Sequence, residues 1–303
     1  MIAVKNQSKQ KIIAIVGPTA SGKTSCGIML AKKLCGEIIS ADSRQLYRGM
    51  DIIASTPTLK EMRGIPHHLI RVANPKRQYS AGRFVREGTR IIDDIVRRGN
   101  IPIVVGGTGF YADALLSGSM LPEVPPNKKL RTQLYKKSAA QLFAQLKRLD
   151  PRRASDIDRK NPVRLIRAIE IAKALGSVPA CDETTAGQKF DVLWLGLFPS
   201  PEAHRRTIRA RIRAHLKQGM LAEAKRLRAQ LSKKRYAELG AEFDLLLQYL
   251  DAKISKKELA EKLERWEFAY AKRQMRWLRR NKNIIWITSK KEASVRAKNF
   301  VSG

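Results

Sequence analysis

The chain predicts an α/β fold, a parallel sheet with helices on both faces, extended by a helical insertion and by basic C-terminal helices. Three features predict it. Short apolar runs alternate with segments of helical spacing through the first third, the pattern of a parallel sheet covered on both sides. A glycine-rich GPTASGKT loop at 17–24 joins the first such run to the first helical segment. A stiff LPEVPP stretch at 121–126 then ends the alternation, and helical periodicity takes over.

Residues 11–16 (KIIAIV) form the first strand by length and apolar content. The loop Gly17-Pro18-Thr19-Ala20-Ser21-Gly22-Lys23-Thr24 follows it. Thr24 opens a helix with Ile28, Ala31, Leu34 and Cys35 in helical register, stopped at Gly36. Strand, glycine loop and helix together make a P-loop NTPase-like phosphate site. Its glycines let successive N–H groups point at phosphate oxygens where a helix N-terminus already favours negative charge. Lys23 adds a cation, and the Thr24 hydroxyl is the expected ligand of Mg²⁺.

The second strand, 37–41, delivers Asp42 to the same edge of the sheet. A carboxylate there serves either as a general base or outer Mg²⁺ partner beside the phosphates, or as a capping or turn aspartate, and position alone divides the functional and structural roles evenly. Ser43, Arg44 and Gln45 continue a polar run suited to base edges or phosphate. His67 and His68 lack a third partner at ligand spacing and are expected to be a structured loop pair. A helix near 82–97 and a strand at 101–105 lead into a second glycine loop, Gly106-Gly107-Thr108-Gly109. Loops at the carboxyl ends of parallel strands are where ligands bind. Thr108 there is either a substrate-facing hydroxyl or a tight-turn residue.

After 126, helices are expected near 128–149 and 162–175, with Arg164 and Arg167 on one face of the latter. Residues 176–189 carry turn residues and no pattern, and 190–198 (FDVLWLGLF) returns as a buried strand. Basic helices follow near 201–231 and 256–281, and 284–287 forms a last strand. The aromatic residues Trp266, Tyr270 and Trp277 on the second of these are assigned to packing. The predicted units are therefore 1–118 with 190–303 as the core, and 119–189 as the insertion.

The formal net charge is +33 in 303 residues. Residues 1–126 hold 18 basic and 9 acidic side chains, while 127–303 hold 42 and 18, so most of the excess follows the phosphate loop. A small-metabolite kinase needs no such field, whereas a nucleic-acid substrate explains it. No apolar run reaches membrane-spanning length, and the first eleven residues contain no apolar signal core, so a cytoplasmic protein is expected. Cys26, Cys35 and Cys181 show no metal spacing and fit reduced thiols.

GPTASGKT, SADSRQLYRGMD, GIPHHLI, YSAGRF, IPIVVGGTGFY, VRLIRAIEI and YAKRQMRWLRR occur in that order across nearly the whole chain. Together they resemble the bacterial tRNA dimethylallyltransferases, the IPP transferase (tRNA isopentenyltransferase) family. The resemblance implies transfer of a five-carbon prenyl group from dimethylallyl diphosphate to adenosine N6 beside the anticodon of tRNAs reading codons that begin with U. It implies that Gly17 to Thr24 hold a diphosphate leaving group with Arg211, that Mg²⁺ sits on Thr24, and that Asp42, Thr19 and Lys23 are catalytic. It also implies tRNA contacts from the anticodon stem-loop to Asp42, Ser43, Arg44, Gln45, Thr108, Arg131, Val163, Arg164, Leu165, Ile166 and Arg167, by a monomer. The chain departs from the family at Ile53 to Pro57, Arg71, Val163, Thr207 and Gly240-Ala241-Glu242. From residues alone, a P-loop kinase and a prenyltransferase of free adenine nucleotide stay open as alternatives.

Overall fold

A computed structural model describes residues 9–116, 121–179 and 190–303. The predicted division points at 118/119 and 189/190, Cys181, and most of the patternless stretch before the returning strand lie outside the described residues. In chain order the elements are β1 (Gln10–Val16), α1 (Lys23–Lys33), β2 (Gly36–Ser40), α2 (Leu59–Met62), β3 (His67–His68), α3 (Ala81–Arg97), β4 (Ile101–Gly106) and α4 (Gly109–Leu116). Then come α5 (Lys128–Leu134), α6 (Ala139–Leu149), α7 (Pro151–Asp156), α8 (Pro162–Leu175), β5 (Phe190–Leu197), α9 (Pro201–Gln218) and α10 (Met220–Gln230). The last are α11 (Lys233–Glu238), α12 (Ala241–Leu250), α13 (Lys256–Leu278), β6 (Ile285–Ile287) and α14 (Lys290–Ser302).

The chain divides into two compact units, residues 1–118 with 187–303, and residues 119–186. The first is the α/β fold that the sequence predicts. Among the described residues its six strands are all parallel, in the order β3-β2-β4-β1-β5-β6. Residues along β1 alternate between two cores, as the period of a strand dictates. Ile12, Ala14 and Val16 pack with Ile39, Val104 and Phe84 on one face, and Ile13 and Ile15 with Ile38, Ile103 and Leu30 on the other. Because β2, β4 and β1 are adjacent, the segments that follow them emerge side by side at one edge. Gly106 is required there, since a Cβ would lie 2.1 Å from the Ala41 carbonyl oxygen. That close approach brings the end of β4 against the end of β2.

Several element boundaries differ from the sequence reading. His67 and His68 form the edge strand β3 against Ile38 and Ile39, and His68 Nε2 lies 2.7 Å from Glu37 Oε2. Two residues are too few for a periodic signal. The expected helix over 128–149 breaks after α5, where Ser138 and Gln141 form a capping box that starts α6. The expected helix over 201–231 breaks at Gly219, whose φ of 105° no helix accommodates. Helices α11, α12 and α14 occupy stretches the periodicity left unassigned.

The second unit packs α5 to α8 around Leu142, Leu146, Leu165, Ile166 and Ile169. Its polar centre is Glu170 on α8, which is almost fully buried. Arg131 reaches it through Nε at 2.8 Å and Nη2 at 2.7 Å, and the Asn127 N–H donates to it at 2.9 Å.

Candidate active site

Three loop segments meet in a cleft of about 310 Å³ at the carboxyl edge of β1, β2 and β4. The phosphate loop contributes Thr19 to Ser25, the end of β2 contributes Asp42, Arg44 and Gln45, and the end of β4 contributes Gly106 and Gly107. Gly22, at φ 88°, takes the left-handed turn that leads into α1. Helices α9 and α13 close the cleft with Arg211, Trp266, Glu267, Tyr270 and Gln274.

Thr19 is the most heavily braced residue of the loop. Gln274 Oε1 accepts its N–H at 2.8 Å, and the Gln274 amide donates to the Gly107 carbonyl at 2.8 Å. One carboxamide thus ties the phosphate loop to the second glycine loop. His204 Nε2 lies 2.7 Å from the Thr19 carbonyl, which only accepts, so that nitrogen carries the proton. Burial holds this imidazole below its ordinary pKa, against the opposing pull of that hydrogen bond. Arg211 Nη2 donates to Thr19 Oγ1 at 2.6 Å and also pairs with Glu267.

Lys23 Nζ donates to the Pro18 carbonyl at 2.6 Å. Burial lowers its pKa to about 8; Asp42 opposes the shift and Arg211 adds to it. Four side-chain atoms of cleft-lining residues, Ser21 Oγ, His67 Nε2, Arg211 Nε and Glu242 Oε2, are buried without a protein partner, and Ser21 Oγ and Arg211 Nε are the donors on the Lys23 side. Buried donors left open beside a lysine suit an anion. Metal ligands are few. Among the described residues no group of three or more His, Cys, Asp or Glu side chains is placed to hold an ion. The cleft offers the Thr24 hydroxyl and the Asp42 carboxylate. That donor set fits Mg²⁺ only as a complex with substrate phosphate oxygens, the usual mode for this cation.

Asp42 lines the cleft and also closes a turn, its Oδ1 accepting from Arg44 N at 2.9 Å and Gln45 N at 3.5 Å. The two roles divided evenly in the sequence are therefore compatible: the turn fixes one carboxylate oxygen and so orients the other. Thr108 does not line the cleft. Its Oγ1 accepts the Ser43 N–H at 3.1 Å, stitching the β4 loop to the β2 loop. Gln45 acts as a brace as well, accepting from Ser40 Oγ at 2.8 Å and donating to the carbonyls of Ala54 and Ser55. Arg44 pairs with Glu242 and lies 5.4 Å from the Trp266 ring centre. Trp266 and Tyr270 stack at 5.3 Å and face the cleft, which corrects their assignment to packing.

On the insertion, the expected RNA-facing residues separate. Leu165 and Ile166 belong to the core and have no side-chain surface to offer. Arg131 and Arg167 are engaged by Glu170, and Arg167 also donates to the Val124 carbonyl at 2.9 Å. The two arginines expected to share a face thus differ, because Arg167 folds onto its own unit while Arg164 stays exposed. Val163 is 65% exposed beside it. Sequence reasoning missed His204, Gln274, Glu267 and Glu223. Only Gln274 carried a signal, through its place in YAKRQMRWLRR.

The sheet and its loop define a P-loop α/β protein. Residues 45–281 match the family described as IPP transferase, and the chain belongs to that family. It is 39% identical over 284 residues to a tRNA dimethylallyltransferase of Thermomicrobium roseum, covering 92% of this chain and 86% of the relative. A tRNA dimethylallyltransferase of Pelotomaculum thermopropionicum is 37% identical over 287 residues, covering 92% and 91%. Among solved structures, a full-length tRNA isopentenylpyrophosphate transferase from Bacillus halodurans superposes with a TM-score of 0.71 at 33% identity, covering 97% and 96%. A eukaryotic dimethylallyltransferase acting on tRNA gives 0.83 at 28% identity, covering 97% and 80%.

Proposed function

We propose that this protein transfers a dimethylallyl group from dimethylallyl diphosphate to N6 of the adenosine beside the tRNA anticodon, releasing diphosphate. The observation that carries the reading is the make-up of one cleft. Its phosphate loop, Lys23 and Arg211 suit a diphosphate, while Ile53, Ala54, Pro57 and Ile70 give it an apolar lining suited to a hydrocarbon. Asp42 lines the same space.

Each of these residues then has a task. As the allylic C–O bond breaks, its electron pair leaves with the diphosphate. The loop N–H groups, Lys23 and Arg211 stabilise the charge that builds there. The N6 lone pair forms the new C–N bond, and Asp42 accepts the proton that the amine loses. Gln274, His204 and Thr108 keep the two loops in register. The Thr24 hydroxyl would help hold Mg²⁺ beside the diphosphate, and the ion would supply further charge neutralisation.

The exposed first turn of α8, with Val163 and Arg164, offers RNA a cationic helix N-terminus. Arg131 and Arg167 support that surface from beneath. Among the described residues no helix is long and apolar enough to cross a membrane. We assign the enzyme to the cytoplasm, where its tRNA is, acting as a monomer. The test is incubation with dimethylallyl diphosphate, ATP, AMP and unmodified tRNA, followed by mass analysis of every acceptor. Prenyl mass on tRNA supports the reading. Prenyl mass on AMP alone, or phosphoryl transfer from ATP as the main activity, replaces it.

A further inference from the structure

One buried carboxylate next to the cleft has no role in this chemistry. Glu223 lies in the first turn of α10 and is 4% exposed. No cation pairs with it among the described residues. Instead it accepts three successive backbone N–H groups: Asp51 and Ile52 at 3.0 Å through Oε2, and Ile53 at 2.9 Å through Oε1. Burying a carboxylate is costly, and hydrogen bonds from several amides offset that cost.

The segment it holds is wound on itself. Ser55 N donates to the Ile52 carbonyl at 3.0 Å, and Thr56 N to the Asp51 carbonyl at 2.8 Å. Ser55 takes the left-handed conformation, with φ 51°. Gln45 grips its far side through the carbonyls of Ala54 and Ser55. A turn this tight moves as one piece, and that piece supplies Ile53, Ala54 and Pro57 to the apolar lining of the cleft. An apolar side chain at 223 would leave three N–H groups without partners, that of Ile53 fully buried.

We propose that Glu223 is a positioning residue that fixes this wall and so limits the donor to a five-carbon chain. The inference rests on the proposed prenyl transfer. With the wall anchored, hydrocarbon beyond the dimethylallyl group meets Ile53 and Ala54; with the anchor loosened, the turn yields and a longer chain enters.

The test compares kcat/KM for dimethylallyl diphosphate and for the ten-carbon geranyl diphosphate, with unmodified tRNA as acceptor. The proteins are wild type, Glu223→Gln and Leu227→Ala. The Glu223→Gln change keeps the shape of the side chain but brings an amide donor against backbone donors. Leu227, 1% exposed on the same helix, provides a destabilised control with the anchor intact. In Glu223→Gln the preference for the shorter donor should fall about tenfold or more, because an apolar pocket discriminates about 10–200-fold per methylene. Leu227→Ala should lose thermal stability and keep the preference. An unchanged ratio in active Glu223→Gln, or an equal loss in Leu227→Ala, overturns the inference. Hydrogen exchange on the wild type decides the matter even if the variant does not fold. The amides of Asp51, Ile52 and Ile53 should exchange as slowly as those of the sheet, and exchange at the rate of an open loop overturns it. A wild type that prenylates tRNA with neither donor sinks the proposed function instead.

Discussion

Replacing Gln274 by methionine removes two hydrogen bonds while keeping the side chain close to its native length. The native carboxamide accepts the Thr19 N–H and donates to the Gly107 carbonyl, both at 2.8 Å. Methionine does neither. The Gly107 end is buried, so its carbonyl loses its partner outright, at a cost of about 1–3 kcal/mol. The Thr19 end is only part-buried, so water recovers much of that bond and the further loss is about 0.5–1 kcal/mol. The expected destabilisation is therefore about 1.5–4 kcal/mol by urea unfolding followed at the tryptophans of the larger unit. The functional effect should exceed the stability effect in specificity. Thr19 also holds Arg211, and the β4 loop also holds Ser43, so both the donor and the acceptor side of the cleft lose registration. KM for dimethylallyl diphosphate should rise and kcat should fall together, under conditions where the variant is fully folded. Gln274→Glu should not rescue, since an ionised carboxylate cannot donate to Gly107. A Gln274→Met enzyme with native stability and native kinetics would refute the view that this residue couples the two loops.

The other expectations concern charge. Asp42→Asn should lower turnover by about 10²–10⁴-fold, the span of general-base loss, with tRNA affinity unchanged in a filter-binding assay; normal turnover would leave Asp42 only its turn. Lys23, with its pKa lowered to about 8 by burial, is charged below that pH and neutral above it. A bound diphosphate favours the charged form, so affinity for an unreactive thiodiphosphate analogue should be flat below pH 8 and fall by up to about tenfold per unit above it. Constant affinity through pH 9, measured by calorimetry, would contradict the assignment. Arg164→Ala should raise the KM for tRNA and leave stability unchanged. Arg131→Ala should destabilise the insertion by about 3–5 kcal/mol, because it strips Glu170 of its bidentate partner. Equal effects of the two substitutions on melting would show that Arg164 is structural too.

The sequence exposes the half of the site that is contiguous. The phosphate loop needs eight neighbouring residues, and strand spacing alone carries Asp42 to its edge. The parallel sheet follows from the same alternation. The opposite half is built from single residues of α9, α10 and α13, such as His204, Glu223, Glu267 and Gln274, which meet the loops only after folding. No local pattern marks a glutamine in a basic helix as the brace between two glycine loops. Arg211 was reachable only through family resemblance, and Trp266 and Tyr270 read as core because an aromatic stripe at helical spacing usually is. Some signals were present and outweighed. Gly219 and the Ser138/Gln141 pair are ordinary helix punctuation, yet the apolar periodicity runs across both.

The same division separates anion binding from the choice of ligand. Its backbone and Lys23 recognise phosphate oxygens and say little about what else the ligand carries. Selection lies with what surrounds it. The 51–57 turn places Ile53 and Ala54 in the cleft, Trp266 and Tyr270 present aromatic faces beside Arg44, and Asp42 lines the same space. Thr19, the most heavily braced loop residue, is held by His204 and Arg211 of α9 and by Gln274 of α13. Grafting GPTASGKT onto another sheet would therefore carry over anion binding and not the choice of ligand. The helices that brace Thr19 follow the loop by some 180 residues or more.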